Sequence, residues 1–347
     1  MEVDFIAAGN RLQRVQDLTR HASKAGFSGI VFAEAGRTAY LSVAAAALAA
    51  DDLDLNTGIA VAFPRSPMVT AKIAWELADA SDGRFTLGLG PQVKAHIERR
   101  YGAEFDPPGP RLREYVEAVR AIFRAFQGEE RLDFEGRYYR HTLLPSQWSP
   151  GPIRHPDIPI YVSAVGPWMT AMAGEIADGI HVHPFHSPTY IDQVLLPGVA
   201  EGAARAGRDP AAVQLAVPVF TIVGDTEEER RVWRDHARSQ IAFYGSTRNY
   251  AFQFDVVGFE GTSARLNDAM KAGDMAAMAS LITDDMLPHF AVEASWDDLA
   301  DALVARYGGT AHRLVFYFAE PARRRDPQLF DRFGEVARAI RTATTAA

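Results

Sequence analysis

The fold class this sequence predicts is α/β, a closed (β/α)8 TIM barrel with insertions, and three observations lead there. Short apolar runs alternate with stretches of helical periodicity from end to end, the signal of βαβ units and a parallel sheet. Eight such runs occur, each followed by a helical stretch, which favours closure over an open sheet. The length of 347 residues also fits, since single barrels commonly run past about 250 residues once loops are inserted.

The first strand is Val3 to Ala8. The helix after it carries Leu12, Val15, Leu18, Ala22 and Ala25, a stripe spaced for one buried face. Gly29-Ile30-Val31-Phe32-Ala33-Glu34 is the second strand, followed by an alanine-rich helix near Leu41 to Ala50. The third strand spans Leu53 to Ala62, and its helix shows Val69, Ile73, Leu77 and Ala80. Phe85 to Gly90 is the fourth, and Leu112, Val116, Val119, Phe123 and Phe126 mark the long helical stretch beyond it. The rhythm then breaks over 128–158, a first insertion. There Phe134-Glu135-Gly136-Arg137-Tyr138-Tyr139 reads as a hairpin, and the proline-rich remainder as an excursion over the surface.

Strands five to seven are Ile160 to Ala164, Gly179 to His183 and Leu215 to Val223. Thr226 with Glu229 three residues on is a capping box that opens the next helix. Residues 245–290 read as a second insertion, with short helices at 262–272 and 274–282. A helix from Ser295 leads into the last strand, Arg313 to Phe318, and a helix over about 327–342 follows. The whole reads as a single domain over 1–347.

Composition narrows the function. Hydrophobic residues at 48% and charged residues at 23% make a globular chain with enough apolar mass for a large core. Lys and Arg number 36 against 44 Asp and Glu, a net charge of −8, and no basic stripe appears, so a nucleic-acid partner is not expected. The densest basic run, Arg323-Arg324-Arg325, precedes the last helix and reads as solvated. With no cysteine there is no disulfide, no thiolate zinc site and no cysteine nucleophile. Met1-Glu2-Val3-Asp4 lacks the basic start of a secretory signal, and no apolar run reaches about 18 residues. The expectation is a cytoplasmic protein without a membrane span.

In such barrels the reactive groups gather at the C-terminal ends of the strands. That rule selects Glu34 after strand two, Gly58 to Phe63 on strand three and Gly90-Pro91-Gln92 after strand four. It also selects Ser163-Ala164-Val165-Gly166 after strand five, and His181, His183 and His186 at strand six. Gly58, Ala60 and Ala62 alternate with Ile59, Val61 and Phe63, and Thr86, Gly88 and Gly90 with Phe85, Leu87 and Leu89. With the small face inward, a flat ligand could rest on bare backbone; the same alternation also serves the packing of a barrel interior. Gly90 and Gly166 stand where a strand turns toward a helix whose free amides can hold a phosphate, although barrel turns use glycine anyway.

His181-Val182-His183 puts two imidazoles on one strand face, and Glu34 is the one further metal ligand in view. Against a metal, there is no H-E-x-x-H, and Asp178 lies at the other end of the sixth strand, so no metal is assigned. A proton-donating or anion-binding role for His183 or His186 competes with a structural one. Neither G-x-S-x-G nor a phosphate-cradling G-x-x-x-x-G-K-[ST] or G-x-G-x-x-G is present.

Several segments together resemble one family. Gly26 to Glu34, Asn56-Thr57-Gly58-Ile59-Ala60-Val61-Ala62-Phe63-Pro64-Arg65-Ser66-Pro67, Ser81-Asp82-Gly83-Arg84-Phe85-Thr86-Leu87-Gly88-Leu89-Gly90, Phe134 to Tyr139 and Ala177-Asp178-Gly179 are similar, in this order, to segments of the luciferase-like monooxygenase superfamily. The stretch Gln240 to Thr247 and the last strand fit as well. The S-x-G-R-F-x-L-G-x-G run is the most specific piece. Within the superfamily the chain looks closest to oxidoreductases that use the deazaflavin coenzyme F420.

The resemblance implies a bacterial-luciferase-like barrel that passes a hydride between coenzyme F420 and a small organic substrate. It implies a cis peptide at Gly58–Ile59 behind the central ring of the coenzyme, and Glu34 near the pyrimidine edge and in the catalytic set. Gly90, Pro91 and Gln92, with Ser163, Ala164, Val165 and Gly166, match loops whose amides hold the ribityl-phosphate side. Arg37, Arg65, Trp168 and Phe185 are expected to shape the substrate pocket, and a homodimer is the expected assembly. Two positions depart from the pattern. Ala35 stands where alcohol-oxidising relatives carry a histidine, and Val93 where some carry a glutamate, so a replacement acid is sought in His183, His186 or His96. Three other readings stay open: an FMN-dependent monooxygenase, a metal-dependent hydrolytic barrel on His181, His183 and Glu34, and a non-catalytic coenzyme binder.

Overall fold

The computed structural model describes residues 1–345. Eight parallel strands form a ring: Glu2–Ala8, Gly29–Ala33, Asp54–Thr57 with its continuation Ala60–Val61, Phe85–Gly90, Ile160–Ser163, Gly179–His181, Gln214–Val223 and Arg313–Phe316. The first and last pair directly, Glu2 opposite Arg313 and Phe5 opposite Phe316, so every ring strand has two neighbours. Strands six and eight stop two residues short of the sequence expectation, releasing His183 and Phe318 into the loops above the ring.

Alternation along the strands divides the apolar residues between two cores. Val31, Tyr161, Ala216 and Val315, with Ile6 against them, fill the inside of the ring. The outward residues pack under the helices, as where Phe5 and Phe27 meet Phe330 of the last helix, Pro327–Thr345, at ring distances of 4.8 to 5.0 Å. The first helix, Leu12–Ala25, buries Val15, Leu18, Ala22 and Ala25 as its stripe predicts, and ends on Gly26 at φ 93°, a left-handed turn that glycine adopts at little cost. None of the described helices is long and apolar enough to cross a membrane.

Two excursions lie off the ring. The first contains the expected hairpin, Phe134–Glu135 against Arg140–His141, whose turn is held from below by a residue the sequence reading passed over. The Glu114 carboxylate, on the helix Pro108–Gln127, accepts from the backbone N–H groups of Arg137, Tyr138 and Tyr139 at 2.6 to 2.9 Å. The second excursion starts earlier than its sequence boundary. The helix Glu227–Gly245, opened by the Thr226–Glu229 capping box, does not return down the outside of the barrel. Trp233 stacks on Phe318 at 5.7 Å and the Tyr244 hydroxyl meets that of Tyr317 at 2.6 Å, both just beyond the eighth strand, so this helix lies across the C-terminal mouth. An additional parallel strand, Ala291–Ala294, pairs with Phe220–Val223, and Leu299–Tyr307 then serves as the crossover into strand eight. Periodicity describes a helix without saying where it goes, which is why the boundary moved.

The third strand is interrupted. Asn56 pairs with Thr86 and Ala60 with Leu89, so three residues on one side face two on the other, a bulge of one residue at Thr57, Gly58 and Ile59. The Thr57 hydroxyl stands in for the lost ladder bonds, donating to the Gly88 carbonyl and accepting from the Gly88 N–H, both at 2.9 Å. A Cβ on Gly88 would lie 1.8 Å from the Thr57 carbonyl oxygen and 2.6 Å from His181 Nε2. Gly88→Ala is therefore expected to cost about 1–3 kcal/mol by overpacking. Gly36→Ala, with nothing within 4 Å, is expected to stay within about 0.5 kcal/mol of the parent. Urea-unfolding midpoints for the two variants check both values.

Candidate functional site

The bulge shapes the mouth of the barrel. From Leu55 to Phe63 every residue is buried except Gly58 and Ile59, so this strand presents its bare backbone at one place only. The Gly58–Ile59 peptide is cis, as the resemblance implied. Gly90 closes the neighbouring strand; a Cβ there would meet Ser163 Oγ at 2.5 Å and Ile59 Cδ1 at 2.8 Å, so strands three, four and five touch at their ends through the smallest possible residue. Pro91 and Gln92 follow half-buried, Gln92 at φ 61°.

Behind the bulge stands a charged clamp. Glu34, with a side chain 3% exposed, accepts from the Val61 N–H at 2.7 Å and from both Arg65 terminal nitrogens at 2.9 and 2.5 Å. Arg65 Nη1 also donates to the Val61 carbonyl at 2.9 Å, and its guanidinium lies 5.1 Å from the centre of the Tyr40 ring. Burial works against the Arg65 charge, and Glu34 outweighs it, leaving that group above its usual value. Both residues thus hold Val61, just past the bulge. The expectation that Arg65 shapes a pocket and that Glu34 reaches substrate is corrected: their charges are spent on each other and on the backbone.

After strand five, Ser163 is half-buried, Ala164 is buried and the Val165 carbonyl accepts from the Tyr190 hydroxyl at 2.7 Å. Gly166 caps the helix Pro167–Ile176 without any side-chain cap, and no atom approaches within 4 Å of where its Cβ would be. Among the described residues the Trp168 and Met169 amides have no protein acceptor, which leaves an open, donor-rich turn suited to an anionic oxygen. The Trp168 ring, half exposed, leans on Gly109 at the start of the neighbouring helix, and Arg37 is exposed on the loop after strand two.

The three histidines separate. His181 points into the ring beside Tyr161, ring centres 5.4 Å apart, and is 7% exposed; its Nε2 has no partner among the described residues. His186 is 1% exposed, donates from Nδ1 to the His183 carbonyl at 2.9 Å and faces the Tyr307 hydroxyl with Nε2 at 3.3 Å. With both nitrogens occupied inside the protein, His186 does not reach the mouth, which corrects its placement among the catalytic residues. Phe185 is also removed from the pocket: it is fully buried between Phe254 and Phe290, each 4.8 Å away, and anchors the insertion. His96 is exposed on the short helix Lys94–Arg99.

His183 alone stays half-buried at the rim. Its Nδ1 accepts from the Phe185 N–H at 3.1 Å, and its ring packs on Tyr244 at 4.8 Å and Tyr250 at 4.4 Å. Burial drives all three imidazoles down to about 4, so they are neutral at pH 7. Tyr244, Tyr250 and Tyr317, none singled out from sequence, complete this corner; burial raises all three phenols and keeps them protonated.

The two imidazoles of His181-Val182-His183 face different surroundings because the strand ends between them, and Glu34 is held by Arg65. Among the described residues no three His, Asp or Glu side chains assemble as metal ligands. A cleft of about 490 Å³ opens at the opposite, N-terminal end of the ring beside Arg120, Tyr161, Asp178 and Gln214, the face that in such barrels serves stability.

Comparison with known proteins agrees with this geometry. The profile of the family described as luciferase-like monooxygenase matches residues 3–313. An uncharacterized protein of Mycobacterium tuberculosis (strain ATCC 25618 / H37Rv) is 38% identical over 309 residues, 89% of this chain and 91% of that protein. A 5,10-methylenetetrahydromethanopterin reductase of Methanolobus tindarius is 26% identical, covering 85% of this chain and 87% of its own length. A putative coenzyme F420-dependent oxidoreductase of Mycobacterium tuberculosis is 33% identical over 57% of this chain and 59% of its own. Among solved structures, the coenzyme F420 dependent tetrahydromethanopterin reductase from Methanopyrus kandleri superposes with a TM-score of 0.76 at 20% identity, covering 96% of this chain and 97% of that one.

Proposed function

The chain belongs to the luciferase-like monooxygenase family, and from that premise we propose that it is an oxidoreductase passing a hydride between coenzyme F420 and a small organic substrate. The observation that carries this reading is the bulge at Gly58 and Ile59, the one place on its strand where backbone faces the mouth. A planar ring needs such a flat, side-chain-free support, and glycine permits the approach. The names of the F420-dependent relatives support deazaflavin over FMN.

The residues present fit the coenzyme. Gly58 and Ile59 would back its ring, and Gly90, Pro91 and Gln92 would border it. The uncapped turn from Ser163 to Gly166, opening the helix Pro167–Ile176, would take its phosphate on free amides. When bound, the deazaflavin supplies a carbon that gives or takes a hydride; the protein contributes orientation and exclusion of water. Glu34 and Arg65 act from behind, fixing Val61 and with it the pose of the bulge. The layer begun by Glu227–Gly245 covers the substrate side.

Titrating the protein with F420 and with FMN, followed by visible absorbance and fluorescence, tests the reading. Saturable F420 binding is expected. Tight FMN binding without F420 binding would overturn it in favour of the flavin monooxygenase. Glu34→Gln keeps the shape of the clamp and loses its charge, and is expected to weaken F420 binding about tenfold, the worth of one charge-assisted hydrogen bond.

A further inference from the structure

Hydrogen-bond donors and acceptors in the loop after strand six allow only one arrangement of protons. The Phe185 N–H can only donate, so His183 Nδ1, 3.1 Å away, carries its lone pair there and its proton on Nε2. The His183 carbonyl can only accept, so His186 bears its proton on Nδ1 and turns Nε2 to accept from the Tyr307 hydroxyl. Neighbouring histidines are thus locked in opposite tautomers by the same short loop. Protonating His183 would set an Nδ1–H against the Phe185 N–H, a second obstacle to charge beyond burial.

The proton on His183 Nε2 has no protein acceptor among the described residues, and this nitrogen is not sealed from solvent. Around it stand only uncharged groups from the covering layer and strand eight: Tyr244 and Tyr250 against the ring, then Tyr317 on Tyr244 at 2.6 Å, and Gln240 on Tyr317 at 3.3 Å. Gln240 decides which way the hydroxyl chain runs. With its oxygen toward Tyr317, Tyr244 donates inward; with its amide reversed, Tyr317 donates to Tyr244 and the Tyr244 proton is free for a ligand.

The geometry points to His183 as a neutral, single-tautomer hydrogen-bond donor that, beside the Tyr244–Tyr317 hydroxyl pair, seats the carbonyl oxygen of an uncharged substrate at the mouth. This deepens the oxidoreductase reading and rests on it for the mouth being the reacting side. A carboxylate or phosphate is disfavoured here because every donor in the corner is neutral, whereas a carbonyl oxygen needs only N–H and O–H groups. The replacement for the missing family histidine would then be an electrophilic donor, not a proton-releasing acid.

Two measurements on the full chain without coenzyme test this. In ¹⁵N-labelled protein, multiple-bond proton–nitrogen correlation is expected to show His183, assigned by the loss of its signals in His183→Phe, as the Nε2–H tautomer from pH 5.5 to 8. An imidazolium or an Nδ1–H pattern at pH 7 overturns the proposal. Carbonyl-labelled [¹³C]cyclohexanone is the second probe: its resonance is expected to move downfield on binding, with affinity about tenfold weaker in His183→Phe and in Tyr244→Phe. Absence of binding, equal binding by His183→Phe, or displacement by equimolar acetate each overturns it. Neither measurement uses the coenzyme, so failure of F420 to bind would sink the earlier reading while leaving these results to stand or fall alone.

Discussion

Lowering the pH from 7 to 4 is expected to destabilise this protein by several kcal/mol, with nearly all of the loss between pH 6.5 and pH 4. His181, His183 and His186 are held near 4 by burial, against 6.5 in an unfolded chain. Between those values the unfolded state binds protons that the folded state refuses, so stability falls as pH falls. The sign is that of a depressed folded value: the contribution is complete above pH 6.5 and gone below about 4. Each ring steepens the dependence by about 1.4 kcal/mol per pH unit, so three in concert reach a large part of a typical net stability of roughly 5–15 kcal/mol. Urea-unfolding curves at pH 8, 7, 5.5 and 4.5 read this directly. His181→Gln should reduce the slope by about one third, whatever it does to the plateau. A stability that is flat down to pH 4.5 would show that these rings take up protons in the native state.

The second large effect sits at the other end of the ring. Asp4 is fully buried and forms a two-pronged pair with Arg313, whose Nε and Nη2 reach its two oxygens at 2.7 Å each. Arg313 also bonds Asp54 at 2.8 Å, tying strands one, three and eight. Replacing Arg313 by Met leaves a carboxylate in the barrel interior without its cation, which is expected to cost about 3–5 kcal/mol at pH 7. The deficit should shrink toward acid pH. Burial already raises Asp4 despite Arg313, and without the cation it rises further, so the protonated form carries stability below its unfolded value and loses it as pH rises through the folded one. Asp54→Asn, on a side chain 41% exposed, is expected to cost under about 1 kcal/mol. Unfolding midpoints at pH 5 and pH 8 for both variants decide the matter; a deficit for Arg313→Met that does not depend on pH would mean the carboxylate has found another partner.

Much of the architecture was legible in the residues. The strand starts at Gly29, Phe85, Ile160, Gly179 and Arg313 coincide with the observed ones, because apolar runs bounded by turn residues are local signals. The bulge was partly legible: small residues at Gly58, Gly88 and Gly90 marked close backbone approach, although at Gly88 the space is filled by Thr57 and His181 and not by a ligand. Pairing choices were harder to see. Nothing local says that Glu34 takes Arg65, 31 positions on, or that Glu114 reaches the turn at Arg137 to Tyr139. The helix Glu227–Gly245 has the capping box and periodicity of any crossover helix, and only its partners, Phe318 and Tyr317, reveal that it crosses the mouth.

The sequence by itself determined the alternation of strands and helices, the absence of thiol chemistry and the family motifs, since each depends on residue identity at short spacing. The tertiary structure alone decided which polar groups remain unspent. Carboxylates, guanidinium groups and imidazoles find partners tens to hundreds of positions away, and a buried polar group takes whichever partner the packing supplies. That is why three histidines within six residues came to have three different surroundings, with only His183 left facing the mouth.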